Sequence, residues 1–158
     1  MGDFTIREAT NADAAAVMRV VSTVLEEYGL RANPASTDRD ILDIEASYKA
    51  NGGTFRVVES AELGVVGCGG LYRVSPDEVE LRKMYLLPVA RGQGIGKRML
   101  RELIELARQM GTARLTLETA SVLKEAIGLY QQHGFVRVSR AALTTRCDQA
   151  WELRLDRK

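Results

Sequence analysis

Apolar positions along this chain first alternate, then step by three and four, then alternate again. Phe4 and Ile6, each flanked by polar neighbours, predict a short first strand. Ala14, Val17, Met18, Val21, Val24 and Leu25 recur at helical spacing behind Thr10 or Asn11 as cap, and Tyr28-Gly29 ends that helix. A loop rich in Pro and small polar residues follows over 31–36. Ile41, Leu42, Ile44 and Tyr48 then predict a second helix, capped by Thr37 or Asp38 and stopped by Asn51-Gly52-Gly53.

From Phe55 the period is two. Phe55, Val57 and Val58 make one strand, a tight turn holds Ala61-Glu62, and a second strand runs over 63–74. Gly67, Gly69 and Gly70 interrupt it, and glycines inside a strand point to a bulge or a close neighbour. Ser75-Pro76-Asp77 turns the chain into a third strand over 78–87. Simple alternation places Glu78, Glu80, Arg82, Met84 and Leu86 on one of its faces. Ile95, Met99, Leu103, Leu106 and Met110 then share a helix face, with Gly111 as its C′ residue. Leu115 and Leu117 mark a strand parallel to 78–87, because a helical crossover joins the two. A last helix is expected over about 121–132, with Leu123, Ala126, Ile127 and Tyr130 on one side. The segments 135–138 and 151–155 close the sheet as an antiparallel pair. The element order is βααβββαβαββ, an α/β fold with a mixed sheet in a single domain over 1–158.

Composition narrows the partners. With 158 residues, 46% hydrophobic and 27% charged, the chain can bury a full core, and a formal net charge of +1 gives no basis for nucleic acid. No apolar run approaches the roughly 20 residues of a membrane span. The first residues, with Asp3, Arg7 and Glu8, carry no signal-peptide core, so a cytoplasmic protein is expected. Cys68 and Cys147 read as two reduced thiols, and with His133 the sole histidine no metal site is expected. A homodimer remains open.

The chemistry concentrates in Arg91-Gly92-Gln93-Gly94-Ile95-Gly96-Lys97, between a strand and a helix. Glycines let the backbone turn and approach a ligand, and the first amides of a helix lack internal partners and carry partial positive charge. Such an end suits a phosphate or pyrophosphate. A Walker loop is excluded, since Arg91 stands where its first Gly belongs and Arg98 where its hydroxyl belongs. The dinucleotide fingerprint is excluded because its third glycine position holds Lys97. Arg91-x-x-Gly94-x-Gly96, the preceding Tyr85-Leu86-Leu87-Pro88 and the later Leu129-Tyr130-Gln131-Gln132-His133-Gly134-Phe135 are similar, in order and spacing, to motifs of the GCN5-related N-acetyltransferases. The resemblance covers about 78–136.

That resemblance implies direct acetyl transfer from acetyl-CoA to a primary amine within a ternary complex. The acceptor is expected to be a small molecule or amino-acid-like, with a protein N-terminus or lysine, or a non-catalytic CoA-binding module, as alternatives. The amides of Gly92, Gln93, Gly94, Ile95, Gly96 and Lys97, with Arg91, are implied to take the pyrophosphate. The backbone of Met84, Tyr85 and Leu86 is implied to pair with the pantetheine arm as an added strand. Pro88, lacking an N–H, helps the strand part from its neighbour. A backbone N–H near Leu86 is the candidate holder of the charge that develops on the thioester oxygen. Glu80 is the expected general base and Tyr130 the expected acid for the departing thiolate. Glu118, at the C-terminal end of the parallel strand, is the second candidate base. Many relatives carry asparagine where this chain has Leu123, so that contact to the cofactor is in doubt. Tyr28, Arg31 and Arg146 are candidate acceptor contacts, His133 a helix-end donor, and Cys147 a thiol with no base placed beside it.

Overall fold

The computed structural model describes residues 3–140, 143–144 and 146–155. Seven strands form one mixed sheet: β1 (Phe4–Glu8), β2 (Thr54–Ser60), β3 (Gly64–Ser75), β4 (Glu78–Leu86), β5 (Arg114–Thr119), β6 (Val136–Val138) and β7 (Gln149–Arg154). Their order across the sheet is β1-β2-β3-β4-β5-β7-β6. The meander β1–β4 is antiparallel. β5 runs parallel to β4, and β6 and β7 pair antiparallel, both as expected from the sequence. Helix α1 (Ala14–Glu27) covers one face. Helices α2 (Ile95–Gln109) and α3 (Lys124–Gln132) cover the other.

Each face has its own core. Val17, Val20, Val21, Val24 and Leu25 of α1 pack on Phe55, Val57, Val65 and Cys68. Met99, Leu100, Leu103, Ile104 and Ala107 of α2 pack on Val58, Val66, Leu71, Val79, Leu81, Leu115 and Leu117. Burying a side chain of this size contributes about 1.5–3 kcal/mol, so both layers are fixed by apolar area. The glycines of β3 serve this packing. A Cβ on Gly70 would lie 2.5 Å from the Phe55 ring and 2.9 Å from the Tyr48 ring.

Three details depart from the sequence expectation. First, the second helix is not a regular α-helix. A 3-10 segment (Arg39–Asp43) runs into a π-helical turn (Glu45–Lys49), which still buries Ile41, Ile44 and Tyr48 but leaves Leu42 59% exposed. Asp38 does not cap it; its carboxylate is engaged elsewhere. Second, α3 begins at Lys124 rather than near Ser121, because the segment before it is held by Asp148, whose carboxylate accepts from both the Ser121 amide and hydroxyl at 2.8 Å.

Third, the side chains of β4 do not keep one alternation. Gly70 pairs with Arg82, and Cys68 pairs with Tyr85, so two steps on β3 oppose three on β4. This is a β-bulge, and Lys83 in it has φ 56°. Val79 and Leu81 face the α2 layer before the bulge, and Met84 and Leu86 face it afterwards. Glu80 and Arg82 therefore share the α1-side face with Tyr72 and Tyr85, not with Met84 and Leu86.

Candidate active site

The turn into α2 is shaped for an anion. Leu87 and the 3-10 turn Pro88–Ala90 end the strand, and Gly92 (φ 75°) and Gly94 (φ 79°) then reverse the chain with left-handed backbone. Gly94 is the N-cap of α2 and offers no side chain to its first amides. Those amides are orphan donors at the positive end of a 15-residue helix. A Cβ at Gly92 or Gly94 would meet nothing within 4 Å, so the space in front of the loop is open. That donor set fits the pyrophosphate of acetyl-CoA.

The side chains of the motif divide. Lys97 is exposed at the cleft rim. Arg91 turns back on the protein, with its guanidinium bidentate to Glu27 of α1 at 2.7 and 2.8 Å and its Nε donating to the Leu86 carbonyl at 3.0 Å. Gln93 donates to the Val89 carbonyl at 3.0 Å, and Ile95 lies in the core. Arg91 and Gln93 thus brace the loop with their side chains.

Behind the loop the sheet opens. Strands β4 and β5 share only three residue pairs, Glu78↔Arg114 to Glu80↔Thr116, and then diverge. A cleft of about 580 Å³ fills the gap, lined by Met84, Tyr85 and Leu86 on one wall and by Leu117, Thr119, Ala120, Leu123 and Leu129 on the other. The Leu87 amide donates to Val66 at 2.8 Å. Antiparallel ladders alternate, so the amide and carbonyl of Leu86 turn away from β3 and toward the cleft.

Tyr130 projects from α3 into the same cleft, 6% exposed, its ring 5.6 Å from that of Phe135. Burial pushes the pKa of its hydroxyl well above the usual tyrosine value. His133 lies outside the cleft, with Nδ1 2.9 Å from the Leu129 carbonyl, as a helix-end group. Leu123 lines the cleft and adds only apolar surface.

At the far end the charges come in pairs. Glu80 Oε1 accepts from Arg82 Nε at 2.5 Å, and the Arg82 guanidinium stacks 3.8 Å over the Tyr72 ring. Glu118 also faces the cleft and accepts from the Thr144 amide at 3.0 Å. The sequence-based expectation missed the cluster that frames this end. Asp38 is fully buried. It receives Arg146 in a bidentate pair at 2.7 and 2.8 Å and the Asn33 amide at 2.6 Å, and it lies 3.5 Å from Lys83 Nζ. Lys83 also lies 3.2 Å from Asp40 Oδ1 and donates to the Thr37 carbonyl. Asp40 Oδ2 accepts from the Tyr48 hydroxyl. Burial alone would raise the Asp38 pKa, but the bonds from Arg146 and Asn33 and the charge of Lys83 outweigh it and hold the carboxyl below its ordinary value. Arg146, a candidate acceptor contact from sequence, is thus committed to Asp38, while Arg31 contributes its carbonyl to Arg146 at 3.4 Å. Tyr28 sits in the cleft wall, its ring 6.0 Å from Arg91. Only the left-handed Lys83 hints at this arrangement, and nothing in the sequence marks it.

Known proteins agree with this geometry. Residues 19–135 match the model of the acetyltransferase (GNAT) family. An uncharacterized N-acetyltransferase of Escherichia coli K12, YjgM, is 40% identical over 141 residues, which cover 86% of this chain and 84% of that protein. The chain spans about half the length of some vertebrate relatives, 46% and 47%. A GNAT-family acetyltransferase structure from Staphylococcus aureus Mu50 superposes with a TM-score of 0.90 at 20% identity, over 98% of this chain and 100% of that one. A Salmonella typhimurium acetyltransferase, YncA, solved with acetyl-CoA, superposes at 0.76 with 24% identity, over 99% and 96% of the two chains. The chain belongs to the acetyltransferase (GNAT) family and is an acetyl-CoA-dependent acyltransferase.

Proposed function

We propose that the protein acetylates a primary amine of a small molecule or amino-acid-like acceptor by direct transfer within a ternary complex. One observation carries this reading: a single cleft runs from the glycine loop past Tyr130 to Glu80 and Glu118. Its far end is walled by Lys83, Thr144, Arg146 and Cys147, with Arg146 and Lys83 held in place by Asp38. A wall there favours a compact acceptor over an extended peptide.

The residue roles follow from position. The amides of Gly92 to Lys97 hold the pyrophosphate, and the backbone of Met84 to Leu86 pairs with the pantetheine arm along the gap that β5 leaves. The Leu86 N–H receives the negative charge that develops on the thioester oxygen; one such donor is typically worth about 3 kcal/mol. A free alkyl ammonium has a pKa near ~10, so a base is needed at neutral pH. Glu80 takes that proton, directly or through one water, with Arg82 fixing its orientation. Glu118 stands across the cleft as the alternative. Tyr130 gives its proton to the departing thiolate.

The test is a panel of amines, amino acids and N-terminal peptides, with acetyl-CoA saturating and free CoA release as the readout. Turnover of small amines ahead of peptides is expected. Peptides as the better substrates would overturn the acceptor assignment. CoA binding without turnover of any amine would indicate a binding module.

A further inference from the structure

Arg82, Lys83 and Arg146 all line the cleft, and they are not paired alike. Arg146 meets Asp38 through both terminal nitrogens, at 2.7 and 2.8 Å. Lys83 lies 3.5 Å from Asp38 and 3.2 Å from Asp40. Arg82 meets Glu80 through Nε, at 2.5 Å, and among the described residues no other carboxylate stands within ion-pair distance of it. The guanidinium lies 3.8 Å over the Tyr72 ring, which covers one of its faces, so a further partner meets it along its N–H edge. Tyr48, whose ring meets Tyr72 edge-on, donates its hydroxyl to Asp40, and burial keeps that hydroxyl neutral. It brings no charge to set against Arg82.

Glu80 and Arg82 both line the acetyl-transfer cleft, their side chains 14% and 32% exposed. Arg82 and Thr37 also line a neighbouring cleft, together with Tyr72, Ser47 and Asn51. The guanidinium thus stands where two clefts meet, directly beside the proposed base.

We propose that Glu80 and Arg82 together read the head of a free α-amino acid, Glu80 taking the ammonium and Arg82 the carboxylate. This rests on the acceptor reading above and narrows it to one substrate class. In an α-amino acid the two charges are a single carbon apart, and on β4 the two opposite charges are in contact. Laid against each other they form a square of four charges in which every neighbour has the opposite sign. Nε stays with Glu80, and the terminal N–H groups donate to the carboxylate, whose two oxygens match the planar fork. An amine without the carboxylate leaves that fork unanswered. A peptide N-terminus brings a neutral amide to the same place.

The experiment follows CoA release with acetyl-CoA saturating, on the standard amino acids, each beside its methyl ester and its decarboxylated amine. For the best amino acid, kcat/KM should exceed that of its ester and its amine by about 10²-fold or more, because a site built to bond a polar group rejects the analogue that lacks it. Arg82→Gln should draw this ratio toward one, chiefly through a higher KM for the amino acid. Arg82→Lys, a point charge without the fork, should keep part of the preference. A residue that only orients Glu80 would slow acid, ester and amine alike and leave the ratio where it was. That result, or a wild-type ratio near one, would overturn the inference while leaving acetyl transfer to small amines intact. Should Arg82→Gln not fold, the wild-type and Arg82→Lys ratios decide. Peptides as the better substrates, or CoA binding with no turnover, would sink the underlying reading and this inference with it.

Discussion

The two ends of the cleft are built by different means. The anion end is made from consecutive residues, Gly92 to Lys97, and its donors are backbone amides displayed by two left-handed glycines. The far end is made from side chains far apart in the chain. Asp38 and Arg146, 108 positions apart, meet there with Lys83 and Asp40. A site made of backbone needs only local conformation, and chemistry common to all members of a family can be fixed that way. A site made of paired charges needs the whole fold to assemble it and can be re-specified one side chain at a time. Perturbing the first end should change binding with little effect on stability. Perturbing the second should change stability and acceptor use together.

The sharpest break is Gly94→Glu. A carboxylate would stand where the pyrophosphate belongs, and like-charge juxtaposition costs several kcal/mol, so Kd for CoA should rise about 10³-fold or more in calorimetry. The left-handed backbone adds about 1–2 kcal/mol of strain, so the urea midpoint should fall only slightly. Unchanged affinity would remove the glycine loop from the cofactor site.

Asp38→Ala tests the opposite end. It strips a fully buried carboxylate from Arg146 and Lys83, and breaking such a pair typically costs about 3–5 kcal/mol. Urea unfolding should show that loss, while CoA affinity of the folded fraction stays near wild type and KM for the amine rises. The same carboxylate sets an acid limit. Its folded pKa lies below its ordinary 3.8. Its stabilisation is therefore complete above that value and disappears as pH falls through the folded one. The wild-type thermal midpoint should drop as pH is lowered from about 5, and more steeply than that of Asp38→Asn. Parallel curves for the two would show that Asp38 contributes nothing to the acid transition.

Tyr130→Phe lies between the two ends. It keeps the ring against Phe135 and removes only the hydroxyl. If that hydroxyl protonates the thiolate, kcat should fall by about 10², with acetyl-CoA binding less affected. An acyl donor with a more acidic thiol should recover part of the loss. Near wild-type turnover under chemistry-limited conditions would leave Tyr130 a packing residue. The smallest effect is expected from Glu80→Gln, about ten-fold or more in kcat/KM at neutral pH. The deficit should shrink as pH rises and more of the amine is neutral. A constant ratio to wild type across pH would pass the role of base to Glu118.

The same contrast explains what the sequence could disclose. The glycine loop, the strand before it and the Tyr130 segment were legible because each is a contiguous run whose spacing is itself the signal. The parallel pairing of β4 with β5 followed from the helical crossover between them, and the apolar stripes of α1 and α2 followed from their periods. The role of Asp38 was misread because it stands where a cap belongs, whereas its carboxylate is taken by Arg146 from far along the chain. The face of Glu80 relative to Met84 and Leu86 was misread because one extra residue at Lys83 shifts the alternation. That bulge exists only in the pairing of β4 with β3. Site residues joined by long-range side-chain bonds leave no local trace.

The narrow join between β4 and β5, three residue pairs wide, has a metabolic consequence. A ligand that bridges the gap binds the folded chain and not the unfolded one, so it adds RT ln(1 + [L]/Kd) to stability, about 2.7 kcal/mol at a hundred times Kd. Fractions unfolded of this kind set how quickly proteases remove a protein from a cell. The amount of this enzyme at constant synthesis should therefore track the supply of acetyl-CoA, with turnover quickening during starvation for acetyl units.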